Sequence, residues 1–401
     1  MKKINKITTA LFLPLLMLFS SCFDPIFYEV RRDVEPETAT VSGRIGQITR
    51  FTMNGEEYLF LSADGGLRYK KADNKTHGSW ATMSVPFSLS SFDFDNTAFN
   101  GNELIGVFAN SDTLYLVAAP YKTTGSEGTT NPTTLDIWGS QTPDVLDSWV
   151  HINDKDYSPY LYNATKEVYS SNFHFFQTNA PQQAHRHAYI CTYVKDDENN
   201  GSYKYYELIG TDDPSLHPVT ISEVEDGNAD SRVYSAAWFD DGVKFFESKT
   251  VLTDETEKSD ANYIFYADGN TLMYASKDNY ASGFVKSCSA NRTISALAVT
   301  KDSILIGMGD LTSTSNDAGG ITRVLRDSDG KPLDTTSAFT TNADFQITSI
   351  YKVLTLLNAT PDKTEEESAL YASITFSGYS GLYDNIGLWS YYPARGNWNR
   401  E

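Results

Sequence analysis

Short runs of β-branched and aromatic residues, separated by clusters of Gly, Asp, Asn and Ser, recur along this chain in groups of four, and no long stretch keeps a helical period. The plainest group occupies 48–53, 57–62, 67–71 and 80–84, with Asn54-Gly55 and Asp64-Gly65-Gly66 as turns. Asn-Gly and Asp-Gly between such runs signal hairpins, because these residues tolerate the positive φ that a two-residue turn demands. Further groups follow at 104–108, 114–117, 135–138 and 149–150; at 172–176, 188–192, 203–206 and 219–221; and at 233–238, 263–266, 272–275 and 284–285. The last two occupy 293–299, 303–307 and 321–325, then 346–350, 370–376, 387–391 and Trp398.

A single four-stranded sheet cannot bury both its faces, so each unit needs a neighbour on either side. Radial repetition closed into a ring provides those neighbours and leaves only short, protected edges. The sequence therefore predicts an all-β chain: a β-propeller of six four-stranded blades over 41–401, with seven blades or tandem β-sandwiches as alternatives. First strands rich in small residues (Ser295, Ala296, Ala298; Ser235, Ala236, Ala237) suit a crowded inner wall, and bulky aromatics fall in later strands. The Gly387-Leu-Trp-Ser-Tyr391 phrase resembles the third strand of six-bladed propellers.

The chain opens in a different style. Lys2, Lys3 and Lys6 precede an apolar stretch over 7–19, and Ser20 and Ser21 lead into Cys22. A charged start, a short apolar core and small residues describe an export signal over 1–21, and the stretch is shorter than the roughly 20 apolar residues that span a bilayer. Phe19-Ser20-Ser21-Cys22 resembles the lipobox of bacterial envelope lipoproteins. The resemblance implies that Cys22 is acylated and becomes the mature amino terminus. Phe23 stands where the family places Asp for inner-membrane retention, which implies the outer membrane. Residues 22–40 then read as a tether.

Thirty-two Lys and Arg against 52 Asp and Glu give a net charge of −20, which excludes a nucleic-acid partner, since phosphate binding needs a basic face. Three cysteines cannot staple a chain of this size, so its stability rests on burial. The expected partners are the membrane, through the lipid, and a glycan or protein ligand, with the chain itself monomeric.

The candidate chemistry is sparse. Ser62-Ala-Asp64-Gly65-Gly66-Leu-Arg-Tyr69 resembles the Asp-box turn of sialidase-like propellers, which implies a structural turn rather than a catalytic one. The arginine positions suggest no carboxylate-binding set, and 52 acidic residues nominate no glycosidase pair. His185 and His187 flank Arg186 with strand period, and His174 belongs to the neighbouring run, a combination that would suit Zn²⁺ or Cu²⁺ but occurs more often as ordinary strand-end histidines. Glu223-Val-Glu225-Asp226 and Asp327-Ser-Asp329-Gly330 read as solvated turns, each short of a cation loop. No catalytic residue, cofactor site or metal site is assigned, and the pairing of Cys191 with Cys288 stays open. The functional expectation is a non-catalytic binding or scaffold module. A glycan-active hydrolase-like enzyme or a subunit of an outer-membrane complex are the alternatives.

Overall fold

In a computed structural model, the chain is described at residues 41, 45–63, 66–76, 78–89, 91–93, 98–100, 102–120, 136–152, 173–178, 180, 182–195, 201–210, 215–221, 224–225, 232–239, 242–248, 250–254, 263–276, 280, 282–309, 319–339, 351–376, 387–392 and 398–401. Cys22, the signal segment and the tether lie outside these residues. So do Asp64 and Gly65 of the Asp-box phrase, Glu223 and Asp226, and the polar stretch 123–134.

The described residues form six four-stranded antiparallel sheets, each a meander. The first holds β1 (Thr49–Met53), β2 (Glu56–Ala63), β3 (Gly66–Lys71) and β4 (Ala81–Met83). A small hairpin of β5 (Ser91–Asp93) and β6 (Ala98–Asn100) precedes the second sheet. That sheet holds β7 (Asn102–Ala109), β8 (Leu114–Pro120), β9 (Asp136–Ser140) and β10 (Val150–His151). The third holds β11 (Phe173–Gln177), β12 (Ala188–Lys195), β13 (Gly201–Ile209) and β14 (Ser215–Val219). A second hairpin follows, β15 (Ser235–Phe239) with β16 (Gly242–Phe246). The fourth sheet holds β17 (Val251–Asp254), β18 (Tyr263–Asp268), β19 (Thr271–Ser276) and β20 (Val285–Ser289). The fifth holds β21 (Ile294–Val299), β22 (Ser303–Gly309), β23 (Gly319–Arg326) and β24 (Pro332–Ala338). The sixth holds β25 (Tyr351–Asn358), β26 (Leu370–Phe376), β27 (Gly387–Tyr391) and β28 (Trp398–Arg400).

Local chemistry accounts for the clearest of these elements. Asn54 and Gly55 both take positive φ, 54° and 78°, so the β1–β2 hairpin closes in two residues and pairs Met53 with Glu56. Gly387-Leu-Trp-Ser-Tyr391 is β27, the third strand of its sheet.

Two first strands depart from the sequence reading: the run 346–350 lies outside the described residues, and the sixth sheet opens with β25; the other is 233–238. The run 233–238 does not open the fourth sheet; it enters β15, and the first strand of that sheet is β17. The β15–β16 hairpin packs between the third and fourth sheets, touching β11 and β17, so it fills a radial position of its own. Six repeats therefore account for the four-stranded sheets and leave this hairpin as an additional unit.

Burial follows a ring. Phe51, Phe60 and Leu67 of the first sheet meet Val107, Leu114 and Trp149 of the second. Tyr115 and Val117 of the second meet Ile190 and Leu208 of the third. Tyr189 and Cys191 meet Val233 and Ala236, while Phe239 and Phe246 meet Val251 and Ile264. Phe265 and Leu272 meet Leu297 and Ile306, and Leu305 meets Val353 and Ile374. Finally Tyr371 and Leu388 of the last sheet meet Leu59 and Leu61 of the first. Each unit buries one face on its predecessor and the other on its successor, which is the architecture of a β-propeller and not of tandem sandwiches. Close to the axis the sheets approach tightly: a Cβ on Gly307 would stand 2.7 Å from Val353 Cγ1 and 3.1 Å from Ala296 Cβ.

The last sheet meets the first through a buried polar knot. Lys70 and Glu401 have fully buried side chains 3.2 Å apart. The three Lys70 ammonium protons go to Glu401 Oε2, the Thr76 carbonyl at 2.9 Å and the Tyr392 hydroxyl at 2.6 Å. Trp80, Tyr371 and Tyr392 present ring faces 5.2–5.8 Å from the ammonium. Glu401 in turn accepts from the Gly78 N–H at 3.2 Å, the Tyr392 hydroxyl at 2.9 Å and Ser390 Oγ. Val41 N–H donates to the Glu401 carbonyl at 3.2 Å. Burying this pair costs desolvation that only complete pairing offsets.

Cys191 and Cys288 are both buried and free. Burial pushes the Cys191 thiol from 9.0 up to about 11, with Arg232 opposing. Burial likewise raises Tyr115, Tyr189, Tyr205 and Tyr392 above 10.0.

Two predictions follow from this packing. Lys70→Met strands the Glu401 carboxylate and should lower stability by about 3–5 kcal/mol in urea unfolding, while adding Glu401→Gln should recover a substantial part. The second concerns alkaline pH. Cys191 keeps its proton in the folded state while the unfolded thiol loses it, so its contribution is complete below pH 9 and falls as pH rises to about 11. The unfolding free energy from urea titrations should decline over that interval by up to about 2–3 kcal/mol for this thiol, and Cys191→Ala should show a shallower decline.

Candidate functional site

The first strands of the sheets surround a cavity of about 220 Å³. Its wall takes Ile48 and Arg50 from the first sheet, Gln177 from β11, Val251 and Leu252 from β17, Ala296 to Val299 from β21, and Leu354 to Asn358 from β25. Ser295, Ala296 and Ala298 stand on this wall, where small side chains leave room for a central space.

Two buried guanidinium groups reach the cavity. Arg50 stands on the face of β1 turned to the last sheet, opposite Phe51, because successive side chains of a strand point to opposite faces. Arg186 lies in the β11–β12 connection just before β12, and this connection is fixed by Thr178. Thr178 Oγ1 donates to the His185 carbonyl at 2.7 Å and accepts from the His187 N–H at 2.9 Å. Arg186 Nε donates to the Ala180 carbonyl at 3.2 Å. Both arginines converge on Glu57 of β2: Arg50 Nη1 lies 3.3 Å from Oε2, and Arg186 Nη2 pairs with Oε1. Arg50 Nη2 also donates to the Asn358 carbonyl. Asn358 is fixed by its own side chain, whose Nδ2 donates to the Val299 carbonyl at 2.8 Å and whose Oδ1 caps the Thr360 N–H at 2.9 Å.

Burial holds the Arg50 guanidinium below its ordinary value, and the neighbouring Arg186 charge pushes the same way. Glu57 opposes this with its charge and hydrogen bond, and Asp362 adds a weaker attraction from the β25–β26 connection. The two carboxylates that bear on Arg50 therefore come from the first and the last sheets. Glu57 is 31% exposed and Asp362 is exposed. The wall also carries Gln47, Gln177 and Thr355 as neutral polar groups.

The sequence reading missed this set. Arg50, Glu57, Arg186 and Asp362 carry no shared motif, and only ring closure brings them together. The histidines singled out from the sequence do something else. His185 and His187 lie parallel to the Trp238 indole, with centroids 4.6 and 5.5 Å away, and His187 Nδ1 stands 2.7 Å from Glu207 Oε1. His174 bonds the Tyr234 carbonyl at 2.7 Å. Among the described residues no group of three His, Cys, Asp or Glu side chains is placed to hold a metal ion. The Asp327 turn is satisfied by its own backbone, Oδ1 accepting from the N–H groups of Asp329 at 3.0 Å and Lys331 at 2.9 Å. Glu225 accepts from the Tyr280 hydroxyl. Tyr205 and Tyr206 are buried packing groups.

No protein-family model and no curated protein sequence matches the chain. Among solved structures it is similar to a puromycin-hydrolyzing peptidase of Mycobacterium tuberculosis, at 9% identity and a TM-score of 0.35, over 89% of this chain and 45% of that one. It is similar to a glycosyl hydrolase from Bacteroides ovatus, at 11% identity and a TM-score of 0.31, over 88% and 85%. A glycoside hydrolase of the mannoside phosphorylase family, targeting β-1,2 mannosidic linkages in Candida mannan, gives 10% identity and a TM-score of 0.31 over 90% and 88%. The chain spans 38% and 45% of the length of the two puromycin hydrolases it resembles. These structures are enzymes, so the expectation of a non-catalytic binding or scaffold module, with no enzyme activity, is corrected here. At such identities and TM-scores no reaction or residue role passes from them to this chain, and the functional argument rests on the cavity.

Glu57 is the counterion for two arginines, which predicts a measurable cost for its removal. Glu57→Gln should lower stability by about 2 kcal/mol in urea unfolding, reduced from the fully buried case by its partial exposure. Arg186→Gln in the same background should recover part of the loss, since it removes one of two facing cations.

Proposed function

We propose that the chain is a glycan-active enzyme of hydrolase type, working at the central cavity. The observation that supports this is a central cavity whose wall carries Arg50 and Arg186, with the Glu57 carboxylate paired to both and Asp362 one residue beyond Pro361 of the wall. Hydrolysis of a glycosidic bond uses two carboxyl groups flanking the bond, one exchanging a proton with the leaving oxygen and one facing the positive charge that develops on the sugar. Asp362, exposed and next to Pro361 of the cavity wall, takes the acid–base role. Glu57, fixed by two guanidinium groups, takes the second. Gln47 and Gln177 meet sugar hydroxyls, and the apolar wall at Val251, Leu252 and Leu356 meets the ring carbons.

This reading includes export and anchoring. Cys22 carries acyl chains that hold the protein at the outer membrane, each buried methylene contributing about 0.8 kcal/mol. The acidic surface stands away from anionic headgroups, which leaves the cavity open to polymers in the envelope.

Full-length protein incubated with a panel of envelope and plant oligosaccharides should release sugar from at least one. Asp362→Asn should reduce kcat on that substrate by about 100-fold or more without a matching change in KM. Turnover unaffected by both Asp362→Asn and Glu57→Gln would reject the assignment. Separately, Cys22→Ala should move the protein from the membrane fraction to the soluble fraction, and retention in the membrane would reject the anchor.

A further inference from the structure

One side chain of the cavity wall, Gln177, bears on the substrate class, in a way that rests on the glycan-active reading above and narrows it. Gln177 ends β11, lines the cavity and is only 8% exposed. Its Oε1 accepts from the Ala109 N–H at 3.0 Å, and Thr49 Oγ1 lies 3.5 Å from the same atom. A backbone N–H only donates, so the atom facing Ala109 is the carbonyl oxygen and the amide is locked in one orientation. The other end of the amide, Nε2, has no hydrogen-bond partner among the described residues. Gln177 therefore offers the cavity N–H donors and no acceptor. Its surroundings are of the same kind. Arg50 and Arg186 line the same wall, and a guanidinium has no acceptor atom. Thr178 Oγ1, next in the chain, already donates to the His185 carbonyl and accepts from the His187 N–H.

We propose that Gln177 is the specificity-determining donor of the cavity, and that the glycan it selects is an N-acetylated amino sugar whose acetamido carbonyl accepts from Nε2. A sugar hydroxyl also accepts from an amide N–H, but it brings a proton that must then find an acceptor among these donors. A carbonyl brings none at that point, so it satisfies Gln177 without setting donor against donor. In a trans acetamide the N–H points the opposite way from the carbonyl, away from Gln177. The acetamido group also carries a methyl, and the wall is apolar at Val251, Leu252, Ala296 and Ala298. Burying that methyl adds the ordinary gain of removing apolar surface from water. The group is neutral, so its recognition asks nothing of the charge balance between the arginines and their carboxylates.

The test is calorimetric binding of the full-length protein to matched pairs of methyl glycosides in the gluco, galacto and manno series, one member with an acetamido group at C2 and the other with a hydroxyl. In at least one series the acetamido member should bind at least about tenfold tighter. Its trifluoroacetamido analogue keeps the apolar bulk but has a weaker acceptor carbonyl, and should lose most of that advantage. Gln177→Glu keeps an acceptor for the Ala109 N–H and puts an oxygen where the donor stood, so it should cancel the preference. Wild-type affinities equal within every pair would overturn the inference without recourse to any variant. An advantage kept in full by the trifluoroacetamido analogue, or by Gln177→Glu, would overturn the role of Gln177. Turnover of a glycan without acetamido groups, with no preference in any pair, would sink this specificity and leave the enzyme reading standing. Acetamido preference without turnover of any glycan would uphold the specificity and sink the enzyme.

Discussion

A ring of sheets is stable only if its last member packs on its first, and in this chain that closure is held by the buried Lys70–Glu401 pair. Every other interface joins units adjacent in sequence, so its loop-closure cost is small. The closing interface joins residues more than three hundred positions apart and must be specified by something sharper than apolar area. Lys70 meets that need because its three donors find three acceptors, and three aromatic rings surround the charge that remains. Any other register of the last sheet would leave a buried ammonium unpaired, a penalty of several kcal/mol. The pair selects the closed ring over open or slipped alternatives, and this contribution to specificity exceeds its contribution to net stability.

Closure also creates the site. Arg50 comes from the first sheet and bonds the carbonyl of Asn358 in the last; Glu57 and Asp362 stand on either side of the same seam. Arg186 approaches from the third sheet across the axis. The chemical groups at the cavity therefore depend on the same long-range contact as the fold. The tight inner wall at Gly307 and Ala296 sets how close the sheets can come, and hence how much room the axis keeps.

The fold was legible where local physics is strong. Asn54-Gly55 reads as a hairpin turn because both residues accept positive φ, and the structure places both there. The Gly387-Leu-Trp-Ser-Tyr391 phrase falls on a third strand, its first four residues buried between neighbouring sheets. The error at 233–238 has an equally local cause. Ser235–Phe239 carries the small-residue pattern of an inner strand, whereas Val251–Asp254 is four residues long and offers little periodicity. Pattern alone preferred the wrong run. The site was illegible for a different reason. His185 and His187 drew attention through their spacing, but the residue between them, Arg186, is the one that reaches the cavity. Its ion-pair partner Glu57 lies 129 residues earlier, and no spacing encodes that pairing.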